Sequence, residues 1–409
     1  MLPESDESIY DAMATAGKFK EILELTSNED SQEAKYWEIS ALFRLGEVQK
    51  SLRKLNEYRT TFISRTWEMR LCNLQSAIYK NIGDFESALI SANKCILMTE
   101  VIQTQDCIEN RGLAFSNIAE VYRILGNVEK SLEYYFQGYQ LYQIQGVTHE
   151  IEIFILNIGI AYRSLGDLEK AEKFLQENYQ IATSKGNPQY LTYSLVELIE
   201  LEVRRNIAKA NAYLKELHEI SDANSSNKRI ALHGKYATAL VYKFSPRARE
   251  KVKGGMLLEE LVEYNDIEIY YTLEAIPHLI ELLLIEYANF HQDPVLHDID
   301  KYLSLLYNLG TKANMNQYII KSLIIQAKLK QIKGDIHEAN LLLEDAEGIA
   351  KKYELTHLIE EVSEVRQGLL KDYDTMKQMV HENAAFLQKW ELSGLVDYLR
   401  KIQGVVKKD

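Results

Sequence analysis

The 409-residue chain is predicted to be all-α, an array of stacked helical hairpins, and three observations carry that prediction. A tyrosine, a glycine and a small residue recur at nearly fixed offsets: Tyr79, Gly83 and Ala88, then Tyr122, Gly126 and Ser131, then Tyr162, Gly166 and Ala171. A degenerate copy follows as Leu201, Arg205 and Ala210, so the pivots 83, 126, 166 and 205 lie 43, 40 and 39 residues apart. Self-similarity at such a period means a solenoid whose units bury their apolar faces on their neighbours. Only 5 prolines and 19 glycines punctuate the chain and 46% of its residues are hydrophobic, which suits packed helices joined by short turns.

At the N-terminal end, Ala16-Gly17-Lys18 has the form of a shortened first turn, and Gly46, followed by Ser51 and Leu55, that of a second. Spacings of 29 and 37 residues (17 to 46, 46 to 83) predict a compact terminal cap. The clearest unit runs from Phe154 to Leu175, with apolar residues at helical spacing up to Leu165. Gly166 supplies the left-handed residue that ends the first helix, and Asp167 can cap the second. Ala171 is small because the two helices must approach closely there, and Gly159 is its counterpart on the first helix. Asp222–Asn227 is the most linker-like stretch, and Ser245–Gly255 the least repeat-like. The helical period persists between 228 and 315 without Gly-Asp punctuation, and Ala327, Gly334-Asp335, Ala339 and Ala346 mark one more unit over 316–352. One continuous array is therefore expected over 1–354, irregular at 222–255. Past Leu355 one or two longer helices, within 355–409, would cover the last apolar face.

The order small residue, Tyr, Gly-Asp or Gly-Asn, Ala and large apolar residue resembles the tetratricopeptide repeat (TPR) family, most closely over residues 69–185. The long period is similar to that of the long-helix repeats of kinesin light chains, spindle-orientation adaptors and some bacterial sensor domains. The overall texture resembles stand-alone archaeal TPR proteins. The resemblance implies a right-handed α-α superhelix, a TPR-like solenoid whose first helices line the inner curve.

With a net charge of −13, a general phosphate-binding surface is excluded, and nucleic-acid binding would need a segregated basic stripe. The three cysteines, Cys72, Cys95 and Cys107, form no C-x-x-C pair, which predicts a reduced, cytoplasmic setting. Cys72 and Cys95 fall at core positions. The acidic N-terminus lacks the form of a signal peptide, and the apolar run Leu279–Ile285 is too short to span a bilayer.

Binding candidates are the polar residues of the first helices. Asn117 and Asn157 stand nine residues before Gly126 and Gly166, Arg123 and Arg163 stand three before them, and Lys80 matches the arginines one unit earlier. Asparagine amides can grip a peptide backbone, as an asparagine ladder does in the adaptors these units resemble. The arginines could hold acidic side chains or a terminal carboxylate, with Glu120 setting the local charge. The ladder stops at Val196 and Ile325, and no lysine–asparagine clamp for chaperone tails can be assembled. Arg247, Arg249, Lys251 and Lys253 form a basic patch that could meet an acidic partner. His291, His297, Asp293 and Asp298 are metal-capable but lack zinc-type spacing, so no metal site and no cofactor is expected. In the tyrosine-rich segment Tyr134–Tyr142, most rings are expected to pack, with Tyr142 and one neighbour reaching the surface.

None of the P-loop, zincin, nucleophile-elbow or dinucleotide motifs occurs, so the chain is expected not to be an enzyme. Two functions fit: a scaffold that takes a protein or peptide partner in its groove, or a ligand- or peptide-sensing array that acts through a partner protein. A ligand-dependent change in radius would separate them. Monomer and homodimer both remain open.

Overall fold

A computed structural model describes residues 8–15, 18–100, 104–148, 151–186, 188–224, 227–263, 269–290, 293–382 and 386–402. Among them all regular structure is helical, in two compact units. The first unit draws on residues 1–121 and 133–151 and holds α1 (Ile9–Thr15), α2 (Phe19–Thr26), α3 (Gln32–Arg44), α4 (Val48–Tyr58), α5 (Arg65–Asn81) and α6 (Phe85–Thr99). Most of α7 (Gln105–Leu125) and α8 (Val128–Gln145) completes it.

The second unit takes the turn that joins α7 to α8, residues 122–132, and everything from 152 onward. It contains α9 (Ile151–Ser164), α10 (Leu168–Lys185), α11 (Pro188–Glu202), α12 (Ile207–Ala223), α13 (Lys228–Lys243), α14 (Ala248–Glu263), α15 (Ile269–Phe290) and α16 (Asp293–Lys312). There follow α17 (Asn316–Lys333), α18 (Ile336–Lys352), α19 (Thr356–Lys371), α20 (Tyr373–His381), α21 (Phe386–Leu392) and α22 (Leu395–Ile402). The fold class is all-α, a right-handed TPR-like solenoid.

The Tyr-Gly-Asp recurrence has a hydrogen-bond cause. Gly83, Gly126, Gly166 and Gly334 all adopt left-handed backbone, with φ of 82°, 91°, 77° and 86°. The N–H of the next residue then reaches five residues back: Asp84 to the Tyr79 carbonyl at 2.9 Å, Asn127 to Tyr122 at 2.8 Å, Asp167 to Tyr162 at 2.9 Å. Each glycine N–H bonds the carbonyl three residues earlier, as in Gly126 to Arg123 at 3.1 Å, which completes a Schellman closure. The acid or amide after the glycine caps the following helix, Asp84 accepting from the Ser87 N–H at 3.1 Å and Asp167 from Lys170 at 3.2 Å. In the degenerate copy Asn206 still caps α12 at 3.1 Å through Lys209, but the turn closes through Asn206 N–H to Glu202 at 2.8 Å. No left-handed residue is needed there, so Arg205 can replace glycine.

Close helix approach explains the small residues. A Cβ on Gly159 would lie 2.8 Å from the Leu175 side chain, and Ala88, Ala171, Ala210 and Ala339 are fully buried. The expectation that Tyr142 reaches the surface is corrected: the ring is 1% exposed, seated against Gly112, where a Cβ would come within 2.1 Å of it. The stretch 222–255 contains an ordinary hairpin, α13 capped by Asn227 and closed on α14, although residues 225–226 lie outside those described. Beyond Leu355, one 16-residue helix, α19, and three short ones stand where one or two long ones are expected. Left-handed Gly394, with φ 61°, turns the chain between α21 and α22, and Lys328 of α17 donates to the Ser393 carbonyl at 2.7 Å to hold it. Cys72, Cys95 and Cys107 are all buried, and Ala16 and Gly17 lie outside the described residues.

Candidate functional site

The second unit turns the polar residues of its odd-numbered helices toward one another. Apolar side chains cover the rest of those helices, so the polar groups meet in a setting of low dielectric. Arg163, in the last turn of α9, is 6% exposed. Its guanidinium pairs with two glutamates one helical turn apart on α11, Glu197 at 3.1 Å and Glu200 at 2.6 Å, and reaches the Tyr270 hydroxyl at 3.4 Å. Tyr236 of α13 donates to Glu200, and Tyr318 of α17 donates to Glu274 of α15 at 2.5 Å. Arg123, at the end of α7, lies over the Tyr270 ring at 5.9 Å from its centre.

These groups border a cavity of about 120 Å³, lined by Arg123, Arg163, Tyr270, Glu274, Tyr318 and Lys321, with His357 and Glu361 of α19 on a further side. Its edge is latched by polar contacts between the α7–α8 turn and helices α17 to α19. Asn316 donates to the Leu125 carbonyl and Asn127 to the Glu354 carbonyl, both at 3.3 Å, and His357 meets Glu129 at 3.2 Å.

Burial sets the electrostatics. It pushes the Glu200 carboxyl up to about 8, against the pull of Arg163 and with help from Glu197 and Glu274. Glu197 is raised for the same reason. Burial works against the charge of Arg163, but Glu197 and Glu200 outweigh it and hold the guanidinium protonated well beyond its ordinary range. Burial, then the nearby carboxylates, keep Tyr236, Tyr270 and Tyr318 neutral. Two arginines thus face three carboxylates, and burial raises the Glu200 carboxyl furthest toward holding its proton near neutral pH.

A second buried cluster lies on α11 to α15. Lys243 is 2.5 Å from Glu281 and 2.9 Å from Nδ1 of His278, and Arg204 reaches Glu281 at 3.3 Å. Burial, then Lys243 and Arg204, depress the His278 pKa well below its ordinary value, so the imidazole is neutral and accepts from the ammonium.

Of the residues singled out from sequence, Arg123 and Arg163 come together at the cavity. Lys80, Asn117 and Glu120 form a separate network in the first unit: the Lys80 ammonium lies 3.1 Å from the Asn117 oxygen and 2.6 Å from Glu120, and the Asn117 amide donates to Asn73 at 2.9 Å. Asn157 donates to the Ile153 carbonyl of its own helix at 2.7 Å and does not line the cavity. Arg249, Lys251 and Lys253 are exposed on α14, and Arg247 pairs with Glu250 at 3.1 Å. Among the described residues no group of His, Cys, Asp and Glu could hold a metal; His291 lies outside them. No described helix is long and apolar enough to cross a membrane. Sequence reasoning misses Glu197, Glu200, Tyr236, Tyr270, Glu274, Tyr318 and Lys321, yet Glu197 and Glu200, three apart within the apolar run Leu195–Val203, are a visible signal.

Hairpins closed by Gly-Asp turns, stacked one on the next, define a TPR-like helical array. In agreement, residues 110–184 match the tetratricopeptide repeat family. No curated protein matches the chain by sequence. Among solved structures, a Rap protein complexed with competence and sporulation factor is similar over 90% of this chain and 95% of its own, at 14% identity and a TM-score of 0.53. The apo form of RapI is similar over 70% of this chain and 98% of its own, at 17% identity and a TM-score of 0.47.

Proposed function

We propose that this chain is a non-enzymatic interaction scaffold that takes a peptide or helical segment of a partner protein against the inner, odd-numbered helices, anchored in the cavity of the second unit. The supporting observation is the convergence of Arg123, Tyr270, Glu274, Tyr318 and Lys321, borne on three helices, around one cavity. At about 120 Å³ the cavity is smaller than the roughly 300–1,000 Å³ of small-molecule pockets and suits a side chain or terminus of a longer segment. Buried ion pairs hold its walls before any ligand arrives, which lowers the ordering cost of binding. Lys80, Asn117 and Glu120 form a polar network of their own in the first unit, and Arg247 to Lys253 are a separate surface.

The test is affinity capture from a lysate of the native source. The bait is wild type, against a variant in which three residues of the cavity lining are truncated, Arg123→Ala, Gln317→Ala and Lys321→Ala. A partner lost from the variant, with the thermal melt unchanged, supports the scaffold; capture that survives overturns this placement of the site.

A second reading, a ligand-sensing array acting through a partner protein, is favoured by the latch at the cavity edge. Each of its hydrogen bonds contributes about 1 kcal/mol, so a bound group that strains them can open the unit. A ligand-dependent change in radius of gyration distinguishes sensing from passive capture.

A further inference from the structure

Helix α14 carries a surface that neither cavity nor core uses. Its packing fixes which face points outward: a Cβ on Gly254 would lie 2.7 Å from the Lys243 backbone nitrogen and 3.0 Å from the Ala239 carbonyl oxygen, so α14 lies backbone-close on α13. Gly254, Leu258 and Leu261 form the buried stripe. With 3.6 residues per turn, the opposite face carries Arg249, Val252, Lys253, Met256, Glu259, Glu260 and Glu263, and all seven are exposed. Val252 and Met256 are 65% and 57% exposed, two large apolar side chains side by side in water.

The stripe has a polarity. Cations stand at its N-terminal end, the apolar pair in the middle and carboxylates at its C-terminal end. Residues 249, 252, 256, 259 and 263 also alternate steps of three and four, the spacing of a helix–helix seam. Such a stripe is complementary to itself in one orientation only. Laid antiparallel on a second copy about Met256, Arg249 and Lys253 of each chain meet Glu263 and Glu259 of the other, and Met256 covers its counterpart with Val252 flanking it. Laid parallel, like charges meet. Lys235 already holds Glu260 at 2.5 Å, whereas burial, then Glu263, Asp298 and Glu286, push the Glu259 carboxyl up against the pull of Lys301.

We propose that the outward face of α14 is a self-association surface, on which a second copy of this chain docks antiparallel about a two-fold axis near Met256. The contact is isologous, so it closes at a dimer and does not propagate. A seam of this size lies below the standard interface class, so the dimer is weak. Because its specificity is carried by exposed charges, it weakens with salt as screening shortens to about 8–10 Å. It leaves the proposed partner site in the cavity untouched.

Sedimentation velocity on the full chain over a range of concentrations, at 20 mM and 500 mM salt, tests this. Wild type should show a concentration-dependent dimer at low salt whose dissociation constant rises at least tenfold at high salt. R249E/K253E makes the stripe wholly acidic and E259K/E263K makes it largely basic. Each alone should raise the dissociation constant at least tenfold, and an equimolar mixture should restore the dimer. All of these positions are exposed, and matching circular dichroism melts verify that the variants fold. A wild type that stays monomeric at every concentration, a dimer indifferent to R249E/K253E, or a mixture that fails to reassociate overturns the proposal.

Discussion

Replacing Arg163 by methionine tests the electrostatics of the buried cluster at its centre. The guanidinium is 2.6 Å from Glu200 and 3.1 Å from Glu197, and all three side chains are under a tenth exposed. Methionine keeps the apolar stem and removes the charge. Two carboxylates are then left in a site where one charge at 4 Å is worth about 4 kcal/mol at an effective dielectric of 20. Removing one partner of a buried pair usually costs about 3–5 kcal/mol, and the variant should lose about that much at pH 8. The loss should depend on pH, and its sign follows from proton binding. Glu200 and Glu197 are raised in the folded protein even with Arg163 present, so between about 4.5 and 8 the native state binds more protons than the unfolded one. Wild-type stability therefore falls as pH rises through that window, by up to about 1.4 kcal/mol per pH unit for each proton involved. Without Arg163 both carboxyls rise further, the slope steepens, and the gap to wild type widens with pH. At pH 5 both are protonated in the variant, and the gap should shrink to the lost hydrogen bonds, about 1–2 kcal/mol. Urea denaturation at pH 5, 6.5 and 8 measures this. A gap of equal size at pH 5 and 8, or none at either, would refute the account of the cluster.

Further expectations concern packing, the latch and acid stability. Gly112→Ala drives a Cβ to within 2.1 Å of the buried Tyr142 ring and should cost about 1–3 kcal/mol, whereas Gly348→Ala, in helix with nothing within 4 Å, should gain about 0.5–1 kcal/mol; thermal melts decide both. Asn127→Ala removes the α8 cap and the bond to Glu354 and should cost about 1–2 kcal/mol, while Lys130→Ala, which breaks the exposed 3.2 Å pair with Glu354 and lifts the ammonium off the Tyr122 ring, should cost less, within about 1 kcal/mol. His233 is buried beside Thr192, and burial, then Arg229, lower its pKa to about 3, so it favours folding above about 6.5 and that contribution falls away as pH drops toward 3. His233→Gln should flatten that part of the stability–pH curve, and an unchanged acid limb would contradict the assignment.

The turns were legible in the sequence because their physics is local. Gly166 and Asp167 state within two residues both the left-handed closure and the next cap, and Gly159 and Ala171 mark one close approach within a single hairpin. The site was legible only in part because its partners are distant. Arg163 stood out by its offset from Gly166, but Tyr270 comes from 107 residues further on and Glu197 from 34. Equivalence of position also overstated equivalence of environment. Asn117 meets Asn73 from 44 residues upstream, whereas Asn157 at the same offset bonds its own helix. Tyr142 was misplaced because its cover is Gly112, a gap in α7 that no local pattern around the tyrosines announces. Beyond Leu355 the helical period alone could not locate the break at Gly394, where a lysine from α17 holds the turn.

The central claim is that a partner segment enters the cavity among the odd-numbered helices. A photo-crosslinking residue placed at Lys321, which lines the cavity, tests it directly, with the same residue at Leu341, exposed on α18, as control. Irradiation in cells of the native source should give a covalent adduct at 321 that contains a peptide or a partner segment, and none at 341. An adduct at 341 alone, or at neither position, would contradict the account.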